Sequence, residues 1–421
     1  MRKLWIAIGG VAFACAVPAL AQQAAAPAFD VEAATQAYMA TLSGAARAKS
    51  DAYFEGGYWL ILWGALVTIG VNVLFLAMGW SRRLSDWAAR RSRRPFLQSL
   101  LWAAPYILVT SLLALPWTIY TGFVREHQYD LATQSFGAWA GEQAMGLAIG
   151  IVVGALLIAG LLALVRRFRD GWWGIGAAVT ILFFAFMLML APVLVAPLFN
   201  KYSPMEAGPL REQILSMARA NSVPAENVYV VDQSRQTTRI SANVSGLGPT
   251  IRISLNDNLL AQGTPAEVRA VMGHELGHYV LNHSLSLMLG FGLIILLGYL
   301  AIAKAVPPML RRWGPRWGVE RIDDPAVVPA AFIVLAVYFL LATPFTNSLT
   351  RMHEQEADIF GLNVARAPDG FAKIAMKLST YRKIEPSPWE EIIFFDHPSG
   401  HTRVSTAMKW KAENIGQPGV E

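Results

Sequence analysis

Cysteine is almost absent: the 421 residues contain one, Cys15. No intramolecular disulfide can form, and a metal site built on thiolates is excluded. Charge is scarce too. Charged residues make up 15% of the chain against 54% hydrophobic ones. That balance is too apolar for an ordinary soluble protein and points to membrane spans. The formal net charge of +6 is not a nucleic-acid signature, because the excess arginine stands in short stretches beside apolar segments. Histidine is unevenly placed. Of the seven, His127 stands alone, while His274, His278, His283, His353, His397 and His401 crowd beyond residue 273.

What is abundant is apolar sequence. Arg2 and Lys3 precede an apolar run that ends in Ala19-Leu20-Ala21, the pattern of a secretory signal over residues 1–21. Cleavage is the favoured reading, and an uncleaved anchor is the other. Six further apolar segments follow, near 57–80, 97–119, 143–165, 172–197, 284–304 and 328–346. Each is about the ~20 residues a helix needs to cross a bilayer. None carries a charge in its central part, which argues against a transporter, where ionisable groups sit at mid-membrane.

The loops give an orientation. Arg82, Arg83, Arg90, Arg91, Arg93 and Arg94 follow the first span, Arg166, Arg167 and Arg169 the third, and Lys304, Arg311, Arg312, Arg316 and Arg321 the fifth. Those three loops read as cytoplasmic. The expected order is a leader at 1–21, an extracytoplasmic segment at 22–56 and four spans within 57–197. A polar region at 198–283 comes next, then two spans joined by a cytoplasmic loop at 284–346, then a second polar region at 347–421. Both polar regions fall outside the cytoplasm. Within the first, Leu210 to Ala220 reads as a helix and Val228 to Val231 as a strand. Ile240 to Val244 and Ile251 to Leu255 read as a strand pair turning through Gly246-Leu247-Gly248-Pro249.

The chemistry centres on His274-Glu275-Leu276-Gly277-His278. Thr264, Pro265 and Glu267 mark the start of its helix by a capping box with proline in the first turn. Histidines at i and i+4 project from one face, so both imidazoles can hold one ion. Glu275 stands one step round, placed to take a proton from an attacking water. Two imidazoles and a carboxylate suit Zn²⁺. The third ligand is sought in Arg351-Met352-His353-Glu354-Gln355-Glu356-Ala357-Asp358, directly after the last span. Glu354 can bind the metal, with His353 as competitor. Asp358, on the same helix face, can accept the outer N–H of a ligand histidine. In His397-Pro398-Ser399-Gly400-His401-Thr402-Arg403, His397 and Arg403 can stabilise an oxyanion. The same residues also read as a turn with a helix cap at Ser399. Ser241, Ala242, Asn243 and Val244 are a candidate sheet edge for an extended peptide, or an ordinary strand.

These residues resemble the type 1 CaaX prenyl proteases and, beyond them, the bacterial heat-shock membrane metalloproteases. The resemblance runs from about Ala45 to Val404. It includes Pro197-Leu198-Phe199-Asn200-Lys201, Gly246-Leu247-Gly248, Ile253 to Leu260, His274 to His278, Arg351 to Asp358, and His397-Pro398 with Arg403. It implies a helical chamber in the membrane capped by a gluzincin-type zinc protease domain, with Glu354 as third ligand and roles for Asp358, His397 and Arg403. Three features depart from it: Ser241-Ala242 stands where the family has Asn-Ala, the signal-like leader stands in place of the first family helix, and the arginine pattern turns the site away from the cytoplasm.

The expected protein is therefore mainly α: a polytopic helical bundle or chamber with a gluzincin-like domain that carries a small β-sheet. The expected function is zinc-dependent endopeptidase action on membrane-associated or periplasmic proteins or peptides, with one Zn²⁺ per chain. The expected place is a bacterial inner membrane with the site on the periplasmic side. The partners are a peptide or protein substrate and the bilayer, and no nucleic acid. The alternative is a catalytically silent scaffold or chaperone of the same fold.

Overall fold

A computed structural model describes residues 29–246 and 251–420. The expected leader, with Cys15, and most of the expected turn after Gly246 lie outside the described residues.

The chain opens with α1 (Val31–Met39), then α2 (Gly44–Ala77), α3 (Trp80–Arg91), α4 (Pro95–Ile119) and the one-turn α5 (Arg125–Gln128). α6 (Phe136–Arg167), α7 (Trp172–Leu194) and the short α8 (Ala196–Phe199) follow. The small domain then begins with β1 (Tyr202–Pro204), α9 (Pro209–Ala220), β2 (Val228–Val231), β3 (Ala242–Ser245) and β4 (Arg252–Asn256). α10 (Asp257–Gln262) and α11 (Pro265–Val280) lead into α12 (His283–Trp317) and α13 (Val328–Ala365). The chain ends in α14 (Pro368–Leu378), α15 (Pro388–Phe394) and α16 (Gly400–Asn414).

Among the described residues, six helical stretches are long and apolar enough to cross a membrane: α2, α4 continuing into α5, α6, α7, α12 and α13. Their outer faces are apolar. Leu285, Leu289, Leu293 and Leu297 form an exposed stripe along α12, and Leu182, Phe186 and Met189 stand out from α7. Such faces are aggregation sites in water and ordinary in lipid. The arginine-rich loops meet at one end of the bundle. Arg82 pairs with Asp324 at 3.1 Å, Ser85 donates to Asp324 at 2.7 Å, and Arg166 donates to the Asp323 carbonyl at 3.1 Å. Trp102, Phe75 and Val306 are fully buried in the apolar cluster at that end.

The sheet carries the order β1-β2-β4-β3, with β2 and β4 parallel and the outer pairs antiparallel. The register Ala242↔Leu255 to Ser245↔Arg252 moves the expected strands by one or two residues, and Ser241 falls just before β3. Ser241 is held there by Asn256: its N–H donates to Asn256 Oδ1 at 3.1 Å, and its carbonyl accepts from the Asn256 N–H at 2.9 Å. Ile253 and Leu255 of β4 are fully buried against Ile214 of α9 and Met272 and Leu276 of α11.

Candidate metal centre

α11 starts where its sequence says it must. Thr264 Oγ1 accepts from the Glu267 N–H at 3.4 Å, and Glu267 Oε2 accepts from the Thr264 N–H at 2.6 Å. Lys377 of α14 donates to the same carboxylate at 2.8 Å. α13 is a single unbroken helix, so the membrane span and the ligand stretch that follows it form one rod. α11 and α13 approach more closely than side chains would allow. A Cβ on Gly361 would lie 2.7 Å from the His274 nitrogen, and one on Gly273 would lie 2.9 Å from the Gly361 carbonyl oxygen. These two glycines let the backbones touch, and the contact sets His274 against Glu354 and Asp358.

The three expected ligands converge. His274 Nε2 and His278 Nε2 are 3.0 Å apart. Each lies 3.3 Å from a Glu354 oxygen. Tetrahedral Zn²⁺ with bonds of about 2.0–2.1 Å separates its ligand atoms by roughly 3.3 Å. Two imidazoles and a carboxylate at these spacings fit that ion. His353 is not part of the set: its Nδ1 bonds the Leu349 carbonyl at 2.8 Å and its Nε2 bonds Ser286 at 2.7 Å.

Around the ligands, each remaining ring nitrogen has a partner. Asp358 Oδ1 lies 2.8 Å from His274 Nδ1, which fixes Nε2 as the free nitrogen. Burial alone would lower the His274 pKa, but its hydrogen bonds to Asp358 and Glu354 raise it to about 10. His278 Nδ1 faces His283 Nδ1 at 2.9 Å, and His283 Nε2 reaches Glu356 at 3.1 Å. For His278 to ligate through Nε2, its Nδ1–H donates to His283, whose own proton then sits on Nε2 and goes to Glu356. Glu356 projects to a side of α13 away from the ligand Glu354, and there it anchors this relay. In the sequence His283 is only one of the clustered histidines, and its link to His278 had no local signal.

Arg403 and His397 both arrive at the site. Arg403 is buried, donating from Nε to Asp358 at 2.9 Å and from Nη2 to Glu354 at 3.1 Å. Its donors are thus turned to the ligand Glu354 and to Asp358, the partner of His274. His397 Nε2 lies 3.2 Å from Glu354, and its Nδ1 bonds Asp396 at 2.8 Å. The cap reading of this segment holds as well, since Ser399 Oγ accepts from the Thr402 N–H at 3.2 Å. Glu275 lines the same cavity as His274, Glu354 and His397. Burial pushes its carboxyl above the usual range. Among the described residues β3 is an edge strand, bonded only to β4. Ser241 and Ala242 line the metal cavity, while Asn243 and Val244 do not.

Comparison with known proteins agrees with this arrangement. Residues 32–201 match the family described as CAAX prenyl protease N-terminal, five membrane helices. That stretch holds four helices of spanning length here. Residues 204–411 match peptidase family M48. An uncharacterized metalloprotease of Bacillus subtilis, YhfN, is 28% identical over 80% of this chain and 79% of its own length. A CAAX prenyl protease 1 homolog of Oryza sativa is 26% identical over 77% of this chain and 76% of its own. The crystal structure of S. mikatae Ste24p shares the fold, with a TM-score of 0.71 over 90% of this chain and 94% of that one at 19% identity. The chain belongs to the CaaX protease family of membrane metalloproteases.

Proposed function

We propose that the chain is a zinc-dependent endopeptidase that hydrolyses peptide bonds of membrane-associated or periplasmic proteins, from a site on the periplasmic face of a bacterial inner membrane. The observation that carries this reading is the convergence of His274, His278 and Glu354 to 3.0–3.3 Å, with His274 and Glu354 lining one cavity with Glu275.

When bound to those three residues, Zn²⁺ supplies Lewis acidity toward the scissile carbonyl and acidifies a water. Glu275 takes the proton as that water attacks and passes it to the leaving amine. A carboxyl whose pKa is raised by burial is the better matched to both steps. Asp358 and Arg403 position His274 and Glu354. His397, oriented by Asp396, offers its ring to the oxygen that gains charge. Ser241 and Ala242, at the free edge of the sheet, align the peptide backbone beside Glu275.

The placement on the periplasmic side draws on the arginine-rich loops gathered at one end of the bundle. The metal centre belongs to the two polar regions, which the same charge pattern puts outside the cytoplasm.

The test is cleavage of a casein-like substrate by purified wild type and by Glu275→Gln, each loaded with zinc. The wild type should cut and the variant should lose at least about a hundredfold. Equal cutting by both would remove Glu275 from the reaction, and no cutting by either would favour a silent scaffold.

A further inference from the structure

The short helix α15 is amphipathic in the inverted sense. Its two carboxylates turn toward the protein. Glu390 accepts from Lys383 at 2.8 Å and from the Ser387 N–H at 2.7 Å. Glu391 accepts from the Ser399 N–H at 3.0 Å and from the Thr402 hydroxyl at 3.3 Å. Trp389 and Ile392, at i and i+3 on one face, turn outward instead. Ile392 is 42% exposed. Trp389 is 73% exposed, more than any other large apolar side chain among the described residues, those on the spans included. A surface helix in water buries its apolar face and shows its charged one. One exposed leucine needs no explanation. A helix that hides both carboxylates and shows an indole is arranged for apolar surroundings.

Two separate attachments set the level of α15. The last apolar run ends near 346. Just past it on α13, Asn347 donates to the Ile393 carbonyl at 2.8 Å, and Arg351 donates to the carbonyls of Glu391 and Phe395. At about 1.5 Å per residue, these anchors stand about 1.5–7.5 Å beyond the end of the run. The first apolar run begins near 57. There Phe394 stacks on Tyr58 of α2 with ring centroids 3.9 Å apart, and Phe395 lies 4.5 Å from Phe54. Lys383 also joins Glu390 to Glu55, at 2.8 and 2.7 Å. The first span and the last thus both place α15 at the same edge of the hydrocarbon layer. Trp59 and Trp63 of α2 and Phe345 of α13 stand exposed near that edge, so α15 adjoins the lipid-facing surface. Tryptophan gathers at this depth because its ring is apolar and its N–H finds a partner among the headgroups.

We propose that α15 is an interfacial membrane anchor, with Trp389 and Ile392 set into the headgroup boundary of the leaflet on the metal centre's side. The partner is the lipid surface itself. The helix leads directly into Asp396 and His397, and His397 Nε2 lies 3.2 Å from Glu354. Phe394 lines a cavity of about 650 Å³ that shares Ile240 and Ser241 with the metal cavity. The anchor therefore holds the mouth of the cleft at the bilayer surface. Lipid contact at α15 is independent of whether the metal centre cuts peptides.

Cys15 is the only thiol, so Cys15→Ser gives a cysteine-free background. In it, Trp389→Cys and Ile392→Cys are each labelled with the environment-sensitive dye NBD. The full chain is reconstituted in phosphatidylcholine nanodiscs, where both faces meet the buffer. Both side chains are exposed, so neither substitution disturbs the packed core. Phe345→Cys, exposed on the last turn of its apolar run, is the lipid reference. Glu413→Cys, exposed on α16, is the water reference. The dye is quenched from the lipid by a nitroxide on the upper acyl chain and from the water by iodide. The anchor predicts nitroxide quenching at positions 389 and 392 at least about twice that at 413, with weaker iodide quenching than at 413. Quenching by both reagents at the level of the water reference overturns the proposal. Protection from both reagents means that a protein chain covers this face, and overturns it equally.

Discussion

Gly361→Ala places one methyl group where two helices touch. Its Cβ would sit 2.7 Å from the His274 nitrogen, 3.0 Å from the His274 Cα and 3.1 Å from the Gly273 carbonyl carbon. All three neighbours are backbone, so no side chain can swing away. Ordinary contact begins near 3.4 Å, so α11 and α13 must part by about 3.4 − 2.7 = 0.7 Å. His274 and His278 ride on one helix and Glu354 on the other. Metal–ligand distances tolerate only about 0.2 Å. Overpacking of this kind costs about 1–3 kcal/mol, of which alanine's better helix propensity returns up to about 1 kcal/mol. The net loss of stability is therefore modest, while the loss of metal affinity is large, on the order of tenfold to a hundredfold. Zinc affinity is measured by competition with a chromogenic chelator, beside thermal unfolding of the metal-free protein. Gly146→Ala, with nothing within 4 Å of the added Cβ, serves as control and should bind zinc like the wild type. Zinc affinity of Gly361→Ala within twofold of wild type would refute the claim that this backbone contact sets the site.

His283→Ala removes the acceptor for the ligand His278 and should weaken zinc binding about tenfold to a hundredfold. Glu356→Gln, altering an exposed partner of His283, should cost less than about tenfold, and the same chelator titration reads both. Glu267→Gln tests the helix start. Burial alone would raise the Glu267 pKa, but hydrogen bonds from Lys377 and Thr264 outweigh it and hold the carboxyl below its ordinary 4.5. Its contribution is thus fully present above that value and lost as pH falls through the lowered one. The stability gap between wild type and variant should be constant from neutral pH down to about 5 and close under more acid conditions; a gap that widens in acid contradicts the pairing. Alkaline phosphatase fused after residue 225 should be active if the proposed periplasmic placement of that segment holds. An inactive fusion, with a fluorescent reporter lit at the same point, reverses the orientation.

Much of this fold is legible because its signals are local. Six apolar runs of spanning length, and the cap Thr264-Pro265 with Glu267, depend only on neighbours along the chain. The i, i+4 spacing of His274 and His278 is local too. Glu354 was sought as the missing third ligand, and Asp358 four residues on shares its helix face. Other features are not local. The His283 relay needs Glu356, 73 positions away. Arg403 was read as a donor to substrate. Only the fold shows it turned instead to Glu354 and Asp358, 49 and 45 positions earlier. Strand β3 came within two residues of its place because alternation marks a strand more clearly than its ends.

The central claim is that one zinc ion on His274, His278 and Glu354, with Glu275 beside it, cuts peptide bonds. The most direct measurement is zinc content and peptide cleavage on the same purified preparations of wild type, Glu275→Gln and Glu354→Ala. The account predicts about one zinc and cleavage for wild type, about one zinc and no cleavage for Glu275→Gln, and neither for Glu354→Ala. Wild-type cleavage by Glu275→Gln, or full zinc retention by Glu354→Ala, would contradict it.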